Sequence, residues 1–233
     1  VRLNPQRVVL AGGTGVISTA VEQAVQTLLP SADVDRHQGA DRYATSREIA
    51  RNAFTAGETP VAYIATGRNF PDALAASAAA GGEGAPVILV NGAASTLDTA
   101  TRTLLTELQV QQVIIAGGTG VVSTGIENGL RTLLGSSDVT RLSGADRYLT
   151  AVAINDARFG AESTVYFATG RDFPDALAGA ALAGRNGGPL YVVPGTCVPR
   201  TVLDSMARRG ATDFVKFGGT GVLTAGVAQL RQC

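Results

Sequence analysis

The sequence predicts an α/β protein assembled from small tandem units, and three observations carry that prediction. First, the chain repeats itself. Gly39-Ala40-Asp41-Arg42-Tyr43 recurs as Gly144 to Tyr148, and the block Ala65 to Ala75 recurs at Ala168 to Ala178 with only Asn69 changed, to Asp172. Gly-Gly-Thr-Gly-Val occurs three times, starting at Gly12, Gly117 and Gly218. Internal repetition of this kind marks a repeat architecture. Second, short aliphatic runs alternate with stretches of helical spacing, and strand-helix alternation demands right-handed crossovers and a parallel sheet. Third, 45% hydrophobic residues, 16% charged residues and 29 glycines describe a compact, turn-rich chain with a core to bury.

Taken in chain order, the expected strands are 7–11, 61–65, 86–90, 112–116, 139–142, 165–168, 190–193 and 214–217. Each is short, continuous and apolar, as a strand buried on both faces should be. Between them lie amphipathic stretches. Val21, Val25, Leu28 and Leu29 repeat at helical spacing, and Leu97, Leu104, Leu105 and Leu108 line one face of a helix expected to start near Thr96. A unit counted from the strand before the Gly-Ala-Asp-Arg-Tyr block to the helix after the glycine block occurs twice in full, at 34–138 and 139–233. Residues 1–33 are then the tail of a first unit. A unit of this size buries a modest core by itself, so neighbouring units are expected to pack tightly together.

The motifs separate into capping signals and candidate binding residues. Each glycine block sits between a strand and a helix, and Gly13-Thr14-Gly15 with Ser18 approaches the dinucleotide pattern, in which free N–H groups and a helix start face a pyrophosphate. Ser18, Ser123 and Thr224 stand where that pattern needs its third glycine; they read as helix N-caps after a tight turn. In the Thr-Gly-Arg blocks, Asn69 and Asp172 fit as N-caps. Pro71 and Pro174 fit a first helical turn, and Asp72 and Asp175 complement the helix dipole. Capping leaves Thr66-Gly67-Arg68 and Thr169-Gly170-Arg171 unexplained, at the carboxyl end of a strand where open α/β sheets place ligand crevices. Arg68 and Arg171 there suit a phosphate or carboxylate, or an ion pair with Asp41 or Asp146. Asp41 and Asp146 themselves read as helix starts, and Tyr43 and Tyr148 as inward packing.

Several functions are excluded or disfavoured. Nineteen basic and nineteen acidic residues give no net charge, which argues against a nucleic-acid binder, and 5% aromatics without Trp argue against stacking platforms. No apolar run reaches the ~20 residues of a membrane span. The single His37 is replaced by Leu142 in the second copy, so it is a poor catalytic base. No nucleophile elbow, zinc-protease motif or Cys/His cluster is present, so neither a metal, a cofactor nor catalysis is expected. Cys197 and Cys233 suit one late cross-link better than a metal site, implying an oxidising, extracytoplasmic setting. The chain opens Val1-Arg2-Leu3 without an initiator Met or leader, as a mature secreted form or a fragment would.

Together, Gly-Ala-Asp-Arg-Tyr, Ala-Thr-Gly-Arg-Asn-Phe-Pro-Asp-Ala-Leu-Ala, the strand Ala85 to Val90 and the Gly-Gly-Thr-Gly-Val block resemble the cell wall binding repeat 2 family over nearly the whole chain. The resemblance implies tandem Rossmann-like units packed about a pseudo-threefold axis on secreted bacterial surface proteins. They would anchor non-covalently to an anionic polymer of the Gram-positive wall, with any enzymatic function on a separate, upstream or fused domain. Three features depart from the pattern: the first unit lacks its Asp-Arg-Tyr and Thr-Gly-Arg blocks, Leu190-Tyr191-Val192-Val193 is less aliphatic than usual, and the cysteines have no counterpart in it. On this reading Arg42, Arg68, Arg147 and Arg171 contact the anion, and Thr66, Gly67, Thr169 and Gly170 shape the loop. The alternatives are a nucleotide or sugar-phosphate enzyme using the glycine turns, and a structural repeat that mediates protein assembly.

Overall fold

The computed structural model describes residues 3–233. Its elements alternate along the chain: β1 (Arg7–Ala11), α1 (Thr19–Leu28), β2 (Asp33–His37), α2 (Arg42–Ala53), β3 (Val61–Thr66), α3 (Pro71–Glu83), β4 (Val87–Val90), α4 (Thr99–Glu107), β5 (Gln112–Ala116) and α5 (Thr124–Leu134). They continue as β6 (Val139–Leu142), α6 (Arg147–Arg158), β7 (Thr164–Thr169), α7 (Pro174–Arg185), β8 (Leu190–Val193), α8 (Arg200–Arg209), β9 (Asp213–Phe217) and α9 (Ala225–Ala228). All strand pairs are parallel and form three sheets, ordered β1-β2, β4-β3-β5-β6 and β8-β7-β9. The α/β repeat architecture is therefore present, with eight expected strands in place to within a residue at each end.

β2 lies outside the strands that periodicity marks. Its sequence Asp-Val-Asp-Arg-His is too polar to read as a buried strand, yet it pairs along its length with β1. Ion pairs solvate it from the side: Arg7 with Asp35, and Arg36 with Glu22 of α1 at 2.9 Å. The repeat counterpart β6 uses the same device, Arg141 pairing with Glu127 at 2.7 Å. Both strands sit immediately before an Asp-Arg-Tyr block and close the sheet of the preceding glycine block. Each repeat thus hands its first strand to its predecessor, and the connection between repeats is built into a sheet.

α4 starts at Thr99 rather than near Thr96, because Asp98 caps it by accepting from Thr101 N–H at 2.8 Å. Leu97, Leu104, Leu105 and Leu108 are all buried under the second sheet, with Ile64, Ile115 and Ile126. On the other face of that sheet lies α3, whose alanines are short enough to let it be covered from several directions. Tyr63, Ala75, Ala79 and Ile114 pack there against Ala151 and Ile154 of α6 and Val192 of β8. α3 also lies along α7, so close that a Cβ on Gly81 would stand 3.0 Å from the Gly184 Cα.

Repeat-equivalent surfaces are covered in one copy and open in the other. Leu74 on α3 is 1% exposed, whereas its counterpart Leu177 on α7 is 55% exposed. Ile114 of β5 is 4% exposed, packed with Ala75, Ala79 and Ala151 from the helices on its face, whereas Val9 of β1 is 44% exposed, and among the described residues no strand pairs the edge of β1 that corresponds to the one β3 pairs on β5. The helical spacing of 21–29 does produce α1, but that helix buries none of its side chains, and Val21 and Leu28 remain in solvent. Among the described residues no element covers these faces.

At the end of the chain Cys197 and Cys233 are disulfide-bonded across a sequence separation of 36, with Cα atoms 5.0 Å apart. Parallel pairing of Val198 with Gln232 accompanies the bond. The chain turns back to reach it, which ends α9 after four residues. Thr224 occupies the N-cap position of α9 without making the side-chain cap that Ser18 and Ser123 make to Val21 and Ile126. A helix this short leaves a hydroxyl cap little to stabilise.

Candidate functional site

The Asp-Arg-Tyr and Thr-Gly-Arg blocks, far apart in sequence, meet in space. β3 and β7 end at Thr66 and Thr169, and the threonine hydroxyl accepts the N–H of Arg68 at 3.2 Å and of Arg171 at 3.1 Å, folding each loop back on its strand. Gly67 and Gly170 follow the threonines. A Cβ on Gly67 would stand 2.6 Å from Tyr43 Cε1, and one on Gly170 2.8 Å from Tyr148 Cε1, so only glycine admits the tyrosine ring. Arg42 Nη1 then donates to the Gly67 carbonyl at 2.7 Å, and Arg147 makes the same bond to the Gly170 carbonyl. Asp41 and Asp146 set the start of the tyrosine-bearing helices by accepting from Ala44 N–H at 2.7 Å and Leu149 N–H at 2.8 Å.

This places Arg42 and Arg147 differently from Arg68 and Arg171. The first two brace the loops through one nitrogen each. The second two are exposed, and among the described residues neither forms an ion pair or a side-chain hydrogen bond; neither reaches Asp41 or Asp146. By contrast Arg36, Arg141 and Arg158 are tied to Glu22, Glu127 and Glu83. Two free guanidinium groups therefore stand at the carboxyl ends of β3 and β7.

Asn69 and Asp172 lie one place before the position expected of them. The N-caps of α3 and α7 are Phe70 and Phe173, which have no side-chain cap, while Asn69 and Asp172 accept only the next N–H, at 2.9 and 2.8 Å. Phe70 already has helical backbone angles, and its carbonyl accepts from Leu74 N–H at 3.1 Å. Its ring packs on that of Phe173 at 5.3 Å, so inter-unit aromatic contact holds the residue that capping chemistry would have given to Asn. Beside the loops lies a groove of about 620 Å³ running from Arg42 and Arg68 past Ile49, Leu89 and Leu177.

Where the second unit meets the third, a smaller cavity of about 130 Å³ is lined by Thr66, Asn69, Pro71, Asp72, Val121 and Arg147. Asp72 lies in the first turn of α3, beside the second glycine block. Gly117 has φ of 107°, a left-handed-side conformation that needs glycine, and a Cβ there would come within 2.6 Å of Asp72 Oδ2. Burial pushes the Asp72 carboxyl up to about 6, with the charge of Arg147 opposing the rise. The folded protein therefore keeps a proton on Asp72 between roughly pH 4 and 6 that the unfolded chain releases, and this residue's contribution to stability falls as pH rises through that window. Asp72→Asn is expected to stabilise the protein by about 1–3 kcal/mol at pH 7 and to flatten the pH profile below 6. Urea unfolding of parent and variant at pH 4.5 and 7 checks this; a stability difference that is the same at both would refute it. In the third unit Asp175 also faces its glycine block, a Cβ on Gly218 lying 2.9 Å from Oδ2, but Asp175 is exposed, and among the described residues the open groove it lines holds Lys216 and no arginine.

Sequence reasoning missed the arginine that braces each of the first two glycine blocks from the adjoining strand. Arg36 Nη1 donates to the Gly12 carbonyl and Arg141 Nη1 to the Gly117 carbonyl, both at 2.7 Å. Hydrogen bonds from Arg131 and Arg141 hold the Glu127 carboxyl below its ordinary range, against its burial. The signal was available: Arg36 and Glu22 recur as Arg141 and Glu127. Among the described residues no group of three or more His, Cys, Asp or Glu could hold a metal, and no helix is long and apolar enough to cross a membrane.

Relatives share both the sequence and the fold. The chain is 31% identical over 200 residues to N-acetylmuramoyl-L-alanine amidase LytC of Bacillus subtilis (strain 168), a match covering 86% of this chain and 39% of the amidase. It is 31% identical over 231 residues to the amidase enhancer of the same organism, covering 97% of this chain and 30% of that protein. The structure of Cwp8 from Clostridium difficile superposes with a TM-score of 0.84 at 25% identity, over 99% of this chain and 38% of Cwp8. Cwp6 from the same organism does so at 24% identity with the same TM-score, over 98% of this chain and 36% of Cwp6, and shows the shared fold. The chain thus spans less than two fifths of each relative. Residues 36–127 and 141–228, which hold both complete sets of loops described above, match the family described as Cell wall binding domain 2, and the protein belongs to that family.

Proposed function

We propose that this chain is a non-catalytic anchor that holds a secreted protein to the bacterial cell wall by binding an anionic wall polymer. The observation that carries the reading is the pair of free, exposed guanidinium groups of Arg68 and Arg171, presented by loops that Thr66, Gly67, Arg42 and their counterparts Thr169, Gly170 and Arg147 brace from behind. A guanidinium without an internal partner is open to a phosphate or carboxylate, and a pre-braced loop loses little freedom on binding. The units 34–138 and 139–233 each supply one such loop, so the sites add by avidity on a repeating polymer. The names of the relatives, an N-acetylmuramoyl-L-alanine amidase and an amidase enhancer, support a role beside an activity carried elsewhere in a longer protein. The disulfide supports an extracytoplasmic setting. Against the nucleotide-enzyme alternative, the Asp72 carboxylate stands at Gly117, where a pyrophosphate would have to sit.

The test is the double variant Arg68→Ala, Arg171→Ala in a sedimentation assay on purified Gram-positive walls at low and high salt. Each exposed contact is worth up to about 1 kcal/mol, so losing both should weaken binding by up to about 30-fold at low salt, and the salt dependence should shrink. Stability should stay within about 0.5 kcal/mol of the parent, because no core volume is lost. Unchanged retention would reject the role of these arginines.

A further inference from the structure

We propose that the cavity between the second and third units is a composite binding site for a neutral, hydroxyl-rich group, a sugar or polyol of the wall polymer, built from Asp72 and Asn69 of one unit and Arg147 of the next. The assignment rests on the anchoring role above and adds to it what is recognised beside the anion.

The site's two charged groups decide the ligand class. Asp72 and Arg147 line one cavity of about 130 Å³ together with Thr66 and Asn69. Among the described residues the Asp72 carboxylate accepts no hydrogen bond, and Arg147 spends only Nη1, on the Gly170 carbonyl. An added anion is drawn to Arg147 and repelled by Asp72; an added cation meets the reverse. A neutral group that both donates and accepts gains from each, and adjacent hydroxyls present both functions at once. The exposed Arg68 follows Thr66 on the same loop, so a polymer alternating hydroxyl-bearing and anionic groups would be read by the cavity and by Arg68 together.

The repeat supplies an internal control for the idea that Asp72 is kept for binding. Asp72 makes no backbone cap for α3, whose N-cap Phe70 has none from a side chain. Asp175 occupies the same place on α7 in an open groove with Lys216 and no arginine, so the complete constellation occurs once among the described residues, at the junction where a Thr-Gly-Arg loop meets the next unit's Asp-Arg-Tyr block. Such a site belongs to the junction and to neither repeat by itself.

The experiment uses the full chain at pH 7.5, labelled for amide NMR, and titrates N-acetylglucosamine, glucose and glycerol separately to about 50 mM, above the millimolar dissociation constants that a few hydrogen bonds deliver. At least one probe is expected to shift the Asn69, Asp72, Val121 and Arg147 amides, with the shifts lost in Asp72→Asn and kept in Asp175→Asn. The asparagine variant keeps the shape of the side chain and removes a half-buried charge, and its own amide spectrum reports that the fold is retained. No shift with any of the three, shifts that survive Asp72→Asn, or larger shifts at these amides from inorganic phosphate would each overturn the assignment. Wall sedimentation is read in parallel: retention without sugar shifts leaves the anchor standing and removes the composite site, while sugar shifts without retention do the opposite.

Discussion

Leu74→Ala is expected to destabilise the protein by about 2–5 kcal/mol, whereas Leu177→Ala, the same change at the equivalent place in the repeat, should leave stability within about 0.5 kcal/mol of the parent. Leu74 lies in a cluster with Tyr166, Ala168, Ala176, Ala180 and Leu190, all from the third unit, so truncating it opens a cavity exactly where two units join. Leu177 is 55% exposed and surrenders little buried area. Urea unfolding of the two single variants decides the matter. Comparable losses at both sites would mean that the face of α7 bearing Leu177 is covered in solution, and that α3 and α7 are not asymmetrically buried. The comparison isolates tertiary context, because the seven residues from Ala168 to Pro174 differ from Ala65 to Pro71 at a single position.

Reduction of the Cys197–Cys233 bond, or Cys233→Ser, should cost about 3–4 kcal/mol for a loop of this length in the chain-entropy model. For a chain of this size that corresponds to a fall in the unfolding midpoint on the order of 10 °C. The effect should be concentrated in the third unit. There the bond ties the loop after β8 to the end of the chain, beside the Val198 and Gln232 pairing and the buried Val198, Leu223 and Val227. Thermal unfolding with and without reductant measures the total, and amide exchange over residues 196–233 locates it. An unchanged midpoint would show that the backbone pairing and apolar packing suffice without the cross-link.

The apolar strands β3, β5 and β8, the amphipathic helices, the glycine turns and the tandem α/β architecture were legible in the sequence, because short-range periodicity and repeated blocks are themselves the signals of those features. The caps of α2, α6, α1 and α5 were equally local, since a Ser or Asp binds an N–H three residues on. From its own residues the charged strand β2 was not legible, although the repeat places a strand before the Gly-Ala-Asp-Arg-Tyr block, because what solvates Asp35 and Arg36 is Arg7 and Glu22, supplied by neighbouring elements. Nor was the start of α3, which the Phe70 contact with Phe173 decides against Asn69. The sequence by itself determined which residues recur: Thr66, Gly67, Arg68, Asp72 and their counterparts. Only the tertiary structure decided what each recurrence does. Identical side chains acquire different burial, charge and partners when one copy has a neighbouring unit against it and the other faces solvent: Leu74 is core and Leu177 surface, and Asp72 has an arginine beside it while Asp175 has none. Those environments depend on contacts between residues distant in sequence, which local pattern does not encode.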